Sequence, residues 1–143
     1  MTLFTSGPPA QFAPTMTTVS DQLNGVAGEI IACAIAVRRH PGPGLLERIY
    51  EEAMVREMSL RSISFERQVR VPVQHKGVGL GMDYHIDLTI PGVLIAELKV
   101  ADALLPVHVA QLLTCLRLTN VRVGLPINFH VQLLRLGIKR LVM

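Results

Sequence analysis

Val93-Leu94-Ile95-Ala96-Glu97-Leu98-Lys99-Val100 is apolar at every position up to Ala96 and then carries two opposite charges, two residues apart. A run apolar on both faces is how a central strand reads when layers cover it on both sides. Side chains alternate along a strand, so Glu97 and Lys99 point the same way. Charges emerging from an otherwise buried strand are costly unless they pair or coordinate a metal. This stretch therefore predicts a layered α/β fold with chemistry at one strand end.

Working backward, Pro91-Gly92 separates it from a second expected strand, Tyr84 to Ile90, in which Asp87 lies between Ile86 and Leu88. The loop length decides whether Asp87 and Glu97 meet. A two-residue turn would oppose position 87 to 96 and leave the carboxylates on opposite faces. A three-residue loop, 91–93, opposes 87 to 97 and uses Gly in a left-handed conformation. The odd-length loop or a bulge is expected, because only that register joins the carboxylates. Two carboxylates with a lysine beside them suit a hard cation such as Mg²⁺, which takes a few carboxylate oxygens, water and a phosphate oxygen. Lys99 would then orient a nucleophile or stabilise developing charge. The same residues also suit an ordinary Glu97–Lys99 ion pair at a frayed sheet end, with Asp87 in a turn.

Further out, Phe65, Arg67, Val69, Val71 and Val73 alternate along an earlier strand that ends at the turn Lys76-Gly77. Before it, helical periodicity covers Asp21 to Arg39 and Leu45 to Ser59, separated by His40-Pro41-Gly42-Pro43-Gly44, which no helix can continue through. On the other side, Pro106 to Leu118 reads as a helix with Pro in its first turn. Arg122 to Ile127 and Ile138 to Val142 supply a strand and a short last element. The order αα-βββ-α-β predicts a central mixed sheet flanked by helices. Residues 1–20 are rich in Thr, Pro, Ser and Ala without periodicity and are expected to be a disordered tail, leaving 21–143 as the domain.

Composition narrows the function. The 143 residues make one domain, and with 50% hydrophobic residues a real core can form. Aromatics are only 4%, with no Trp, so the core is aliphatic and a base-stacking platform lacks material. A net charge of +3, with basic residues scattered, lacks the dense stripe of a dedicated DNA-binding domain. Cys33 and Cys115 read as reduced core thiols. The longest apolar run, Gly25 to Val37, is interrupted by Glu29 and too short to span a bilayer, and no secretory signal opens the sequence. A cytoplasmic protein without membrane contact is expected. There is no nucleophile elbow, P-loop, dinucleotide fingerprint or zinc spacing.

Asp87 followed by Glu97-Leu98-Lys99 resembles the D…(D/E)-x-K signature of the PD-(D/E)XK nuclease superfamily. Gly44-Leu45-Leu46-Glu47-Arg48-Ile49-Tyr50 matches the G-x-x-E-x-x-Y motif of a small bacterial and archaeal family within it, and Pro106 to Leu113 looks like that family's helix after the E-x-K strand. The likeness runs from about Asp21 to the carboxyl end. It implies a restriction-endonuclease-like core with Asp87, Glu97 and Glu47 holding Mg²⁺ (Mn²⁺ as a substitute), Lys99 catalytic and Gln111 supporting. Two positions depart from the pattern: Ile86 stands before Asp87 where the superfamily's name has Pro, and Cys115 stands where an exonuclease-like branch has Tyr four residues after Gln111. His108, Gln111 and Cys115 fall on one helical face. His108, near the helix start, could contact an anion or make a local hydrogen bond, and Arg67 is a candidate phosphate contact. The expected function is a metal-dependent nuclease acting on DNA or RNA. The alternative is a noncatalytic module binding nucleic acid or protein, and the high apolar content leaves room for a homodimer or protein partner.

Overall fold

A computed structural model of the chain describes the backbone of residues 16–143 and the side chains of residues 24–143. Its elements are α1 (Met16–Arg39), α2 (Glu47–Leu60), β1 (Glu66–His75), β2 (Val78–Ile90), β3 (Leu94–Lys99), α3 (Pro106–Thr119), β4 (Val123–Asn128), a short 3-10 turn (Leu134–Gly137) and β5 (Leu141–Val142). The αα-βββ-α-β order holds. The first helix starts at Met16, so residues 16–20 of the expected tail are helical, and residues 1–15 lie outside the described residues. Among the described residues no helix is long and apolar enough to cross a membrane.

One five-stranded mixed sheet, in the order β1-β2-β3-β4-β5, forms the centre. β1–β2, β2–β3 and β4–β5 are antiparallel, whereas β3 and β4 run parallel from Leu94↔Val123 to Lys99↔Asn128. A parallel pair needs a crossover, and α3 provides it. Both central strands are almost wholly buried because helices cover both faces.

On one face, α1 and α2 bury Ala27, Ile30, Ala34, Tyr50, Met54 and Met58 against Leu88, Leu94, Ala96, Leu98, Leu125 and Ile127. Leu46 and Ile49, which the helical period assigns to the buried face of α2, are 73% and 43% exposed. They belong to the first turn and its approach, beyond the contact with the sheet. On the other face, α3 buries Leu112, Cys115 and Leu116 against Ile86, Ile95 and Val71. Gly124 permits the close approach of α3 to β4, since a Cβ there would meet Leu116 Cδ1 at 3.1 Å and Leu112 Cγ at 3.2 Å. Both cysteines are free and buried.

Two polar anchors fix the strand ends. The Tyr50 ring stacks on Phe129 with centroids 4.3 Å apart and planes 6° from parallel, worth about 0.5–1.5 kcal/mol beyond burial. Its hydroxyl donates to Gly42 O (2.7 Å) and accepts from Leu45 N–H (3.3 Å), tying the Pro/Gly loop to the start of α2. Asn128, the one polar residue at the end of buried β4, donates to Ala101 O at 2.8 Å and accepts from the amides of Ala101 and His130. It thereby fixes the chain just beyond Lys99.

Candidate metal centre and cleft

β2 and β3 are joined by the three-residue loop 91–93, with Ile90 opposite Leu94 and Gly92 at φ +75°. The register runs through Thr89↔Ile95 and Leu88↔Ala96, which brings Asp87 opposite Glu97 as the odd-length loop requires. Leu88↔Ala96 is the last pair of that ladder. Beyond it, carboxylates replace the backbone partners. Leu98 N–H donates to Asp87 Oδ2 at 2.8 Å, and Asp87 N–H donates to Glu97 Oε1 at 3.3 Å. Each carboxylate is thus oriented by the other strand's segment and keeps one oxygen free of these bonds.

Both carboxylates are half-buried, and among the described residues neither takes part in an ion pair. Burial raises the Glu97 pKa most, the Asp87 charge adds to it, and the group is pushed up to about 8 against an ordinary 4.5. The Asp87 amide and the Lys99 charge work against the shift without cancelling it. Like charges held together in a partly dry place favour one shared proton. A divalent cation answers both causes at once, because hard oxygen donors and uncompensated negative charge are what Mg²⁺ binds. The donor set fits such an ion.

Glu97 and Lys99 emerge on the α3 face and line a cleft of about 210 Å³ together with Asp83, Tyr84 and His85 of β2, Leu104 of the loop, His108, Gln111, Leu112 and Cys115 of α3, and Pro126. The helical face of His108, Gln111 and Cys115 therefore does turn toward the E-x-K strand. His108 Nδ1 accepts from Leu105 N–H at 3.3 Å, helping to cap α3, so its Nε2 is the nitrogen left for the cleft. The Cys115 thiol is pushed up to about 11, by burial first and by the Glu97 charge second, so it stays protonated and is a packing group rather than a nucleophile.

Two expected site residues are not brought in. Glu47 is the first residue of α2 and exposed, and α2 packs on the opposite face of the sheet from the cleft. Among the described residues, no three His, Cys, Asp or Glu side chains gather as a metal-holding group, and the candidate donors that the structure brings together are Asp87 and Glu97. Arg67 is occupied too. Its guanidinium reaches Glu51 at 2.6 Å and Glu52 at 2.9 Å, a strap from β1 to α2. Sequence reasoning passed over Asp83, Tyr84, His85 and Asn128. Only Asn128 had a signal, as a lone polar residue closing an apolar strand.

A family model of the PD-(D/E)XK nuclease superfamily matches residues 24–141. No curated protein and no solved structure matches the chain.

Proposed function

The chain belongs to the PD-(D/E)XK nuclease superfamily, and from that premise we propose that it is a divalent-metal-dependent nuclease hydrolysing phosphodiester bonds of DNA or RNA. The observation that carries this reading is the facing pair Asp87 and Glu97, neither in an ion pair among the described residues, with Glu97 and Lys99 of β3 opening together into the cleft. When bound, a divalent ion supplies Lewis-acid chemistry toward a phosphodiester and the water that attacks it. Asp87 and Glu97 would hold it through the oxygens their amide partners leave free. Lys99 is in no ion pair among the described residues, so its ammonium is available to a phosphate oxygen or to the attacking water. Gln111 and the Nε2 of His108 line the facing wall, where they can orient a phosphate. Mg²⁺ is the proposed ion, with Mn²⁺ able to replace it.

Within the superfamily we assign the chain to the G-x-x-E-x-x-Y family on Gly44, Glu47 and Tyr50. The bonds of the Tyr50 hydroxyl to Gly42 O and Leu45 N–H tie the last residue of that motif to the loop on either side of its first glycine.

The test is cleavage of single- and double-stranded DNA and RNA with Mg²⁺ or Mn²⁺, comparing wild type with folded Asp87→Ala, Glu97→Ala and Lys99→Ala proteins. Metal-dependent cleavage by wild type is expected, with each variant down at least about a hundredfold, the usual scale for losing charge stabilisation in a transition state. Cleavage that survives Asp87→Ala would remove the site. A wild type that binds nucleic acid without cutting it would leave a binding module.

A further inference from the structure

Gln68 lies in the interior of β1 with φ +51°, in the left-handed region that a non-glycine residue seldom enters. The register on either side of it is unbroken, with Arg67↔Leu88 before and Val69↔Ile86 after, so Gln68 stands opposite Asp87. At this row both strands of the hairpin exchange faces. On β2, Leu88 packs in the layer of α1 and α2, while Ile86, two residues earlier, packs in the layer of α3. Just before β1, Phe65 packs with the α1–α2 layer, and on β1 Arg67 bonds to α2 while Val69 and Val71 pack with α3. A regular strand would keep residues two apart on one face.

The same row is where β2 and β3 part. Their ladder stops at Leu88↔Ala96, and the amides of Asp87 and Leu98 turn to carboxylates instead. Turning β2 at Asp87 withdraws its backbone from β3, and the carboxylates fill the vacated places. Backbone strain that persists in a native structure needs surroundings that hold it. Here Gln68 Nε2 donates to Glu51 Oε1 at 2.7 Å, and Arg67 next to it grips the same glutamate.

We propose that Gln68 is the positioning residue of the metal centre, its left-handed backbone turning the hairpin so that Asp87 and Glu97 face one another through the split β2–β3 ladder. This rests on the metal-site reading above and adds the device that shapes it. The role belongs to the backbone conformation, so residues that tolerate positive φ should preserve it and β-branched residues should not.

The experiment uses the full chain in four forms: wild type, Gln68→Gly, Gln68→Val and Glu51→Ala. Mn²⁺ affinity is measured by calorimetry, and amide hydrogen exchange at Asp87 and Leu98 is measured by NMR without metal. Gln68→Gly should keep the affinity within about threefold and leave both amides protected, whereas Glu51→Ala, which removes the bonds that hold Gln68 in its left-handed conformation, should shift binding and exchange in the same direction as Gln68→Val but by less. Gln68→Val should weaken Mn²⁺ binding at least about tenfold and speed exchange at Leu98, with the Thr89 and Ile95 amides unchanged as the sign that the fold persists. Wild-type affinity and protection in Gln68→Val would overturn the proposal, as would an equal loss in Gln68→Gly. Should Gln68→Val fail to fold, Gln68→Asn and Gln68→Thr repeat the contrast, since Asn accepts positive φ and Thr resists it. A wild type that binds no Mn²⁺ would sink the metal reading alone, because the exchange comparison still decides the role of Gln68.

Discussion

Glu97 illustrates how a single side chain can be costly to the fold and still be the one that the proposed site calls for. Its carboxyl titrates near 8 in the folded chain against about 4.5 when exposed, so between those values the folded form binds more protons than the unfolded one. The sign follows: the metal-free protein is most stable below about pH 4.5 as far as this group is concerned, and loses that contribution as pH rises toward 8. Divalent metal competes with the proton, so metal affinity should climb over the same window and flatten above it. Glu97→Gln should remove both dependences, raising metal-free stability at pH 8 while abolishing metal binding. Thermal melts from pH 5 to 9, with chelator and with Mn²⁺, check this. A metal-free melting temperature that rises from pH 5 to 8 would contradict it.

At the scale of the element, the β2–β3 hairpin is where sequence was most informative. Glu97 and Asp87 could meet only through an odd-length loop, and the three residues 91–93 supply it, with Gly92 at φ +75°. Gly92→Ala should cost about 1–2 kcal/mol, since an L-residue resists that conformation, and leave Mn²⁺ affinity unchanged because the register stays. Urea denaturation with a parallel titration separates the two effects. Other elements were less legible. The expected strand begins at Tyr84, yet Val78 to Asp83, with two glycines among six residues, continue β2 outward along β1 as an arm. The left-handed turn at Gln68 has no composition signal, because Gln carries no preference for it. The place of Glu47 was illegible for a different reason. Periodicity says which side of a helix is buried, but not against which face of the sheet that helix lies, and α2 lies on the face away from the cleft.

Across the whole molecule, the two halves of the site reach their places by unlike routes. Asp87, Glu97 and Lys99 belong to one hairpin, and the surrounding sheet is gripped from the α1–α2 side by a large apolar cluster. Gln111 and His108 arrive on a crossover helix that buries only Leu112, Cys115 and Leu116. Native proteins open in pieces whose free energies reflect how much apolar surface each piece hides. The wall of the cleft should therefore be a separate unit of local unfolding, lifting from the sheet at lower free energy than the floor. Native-state exchange should then rank the α3 amides below those of Ile95 and Leu98 in protection, with added Mn²⁺ slowing the β3 amides more than those of α3. Equal protection of helix and strand would instead make the whole domain one cooperative unit. With a wall that swings independently of its floor, a strand of nucleic acid could enter from the side while the carboxylates proposed to hold the ion stayed in place.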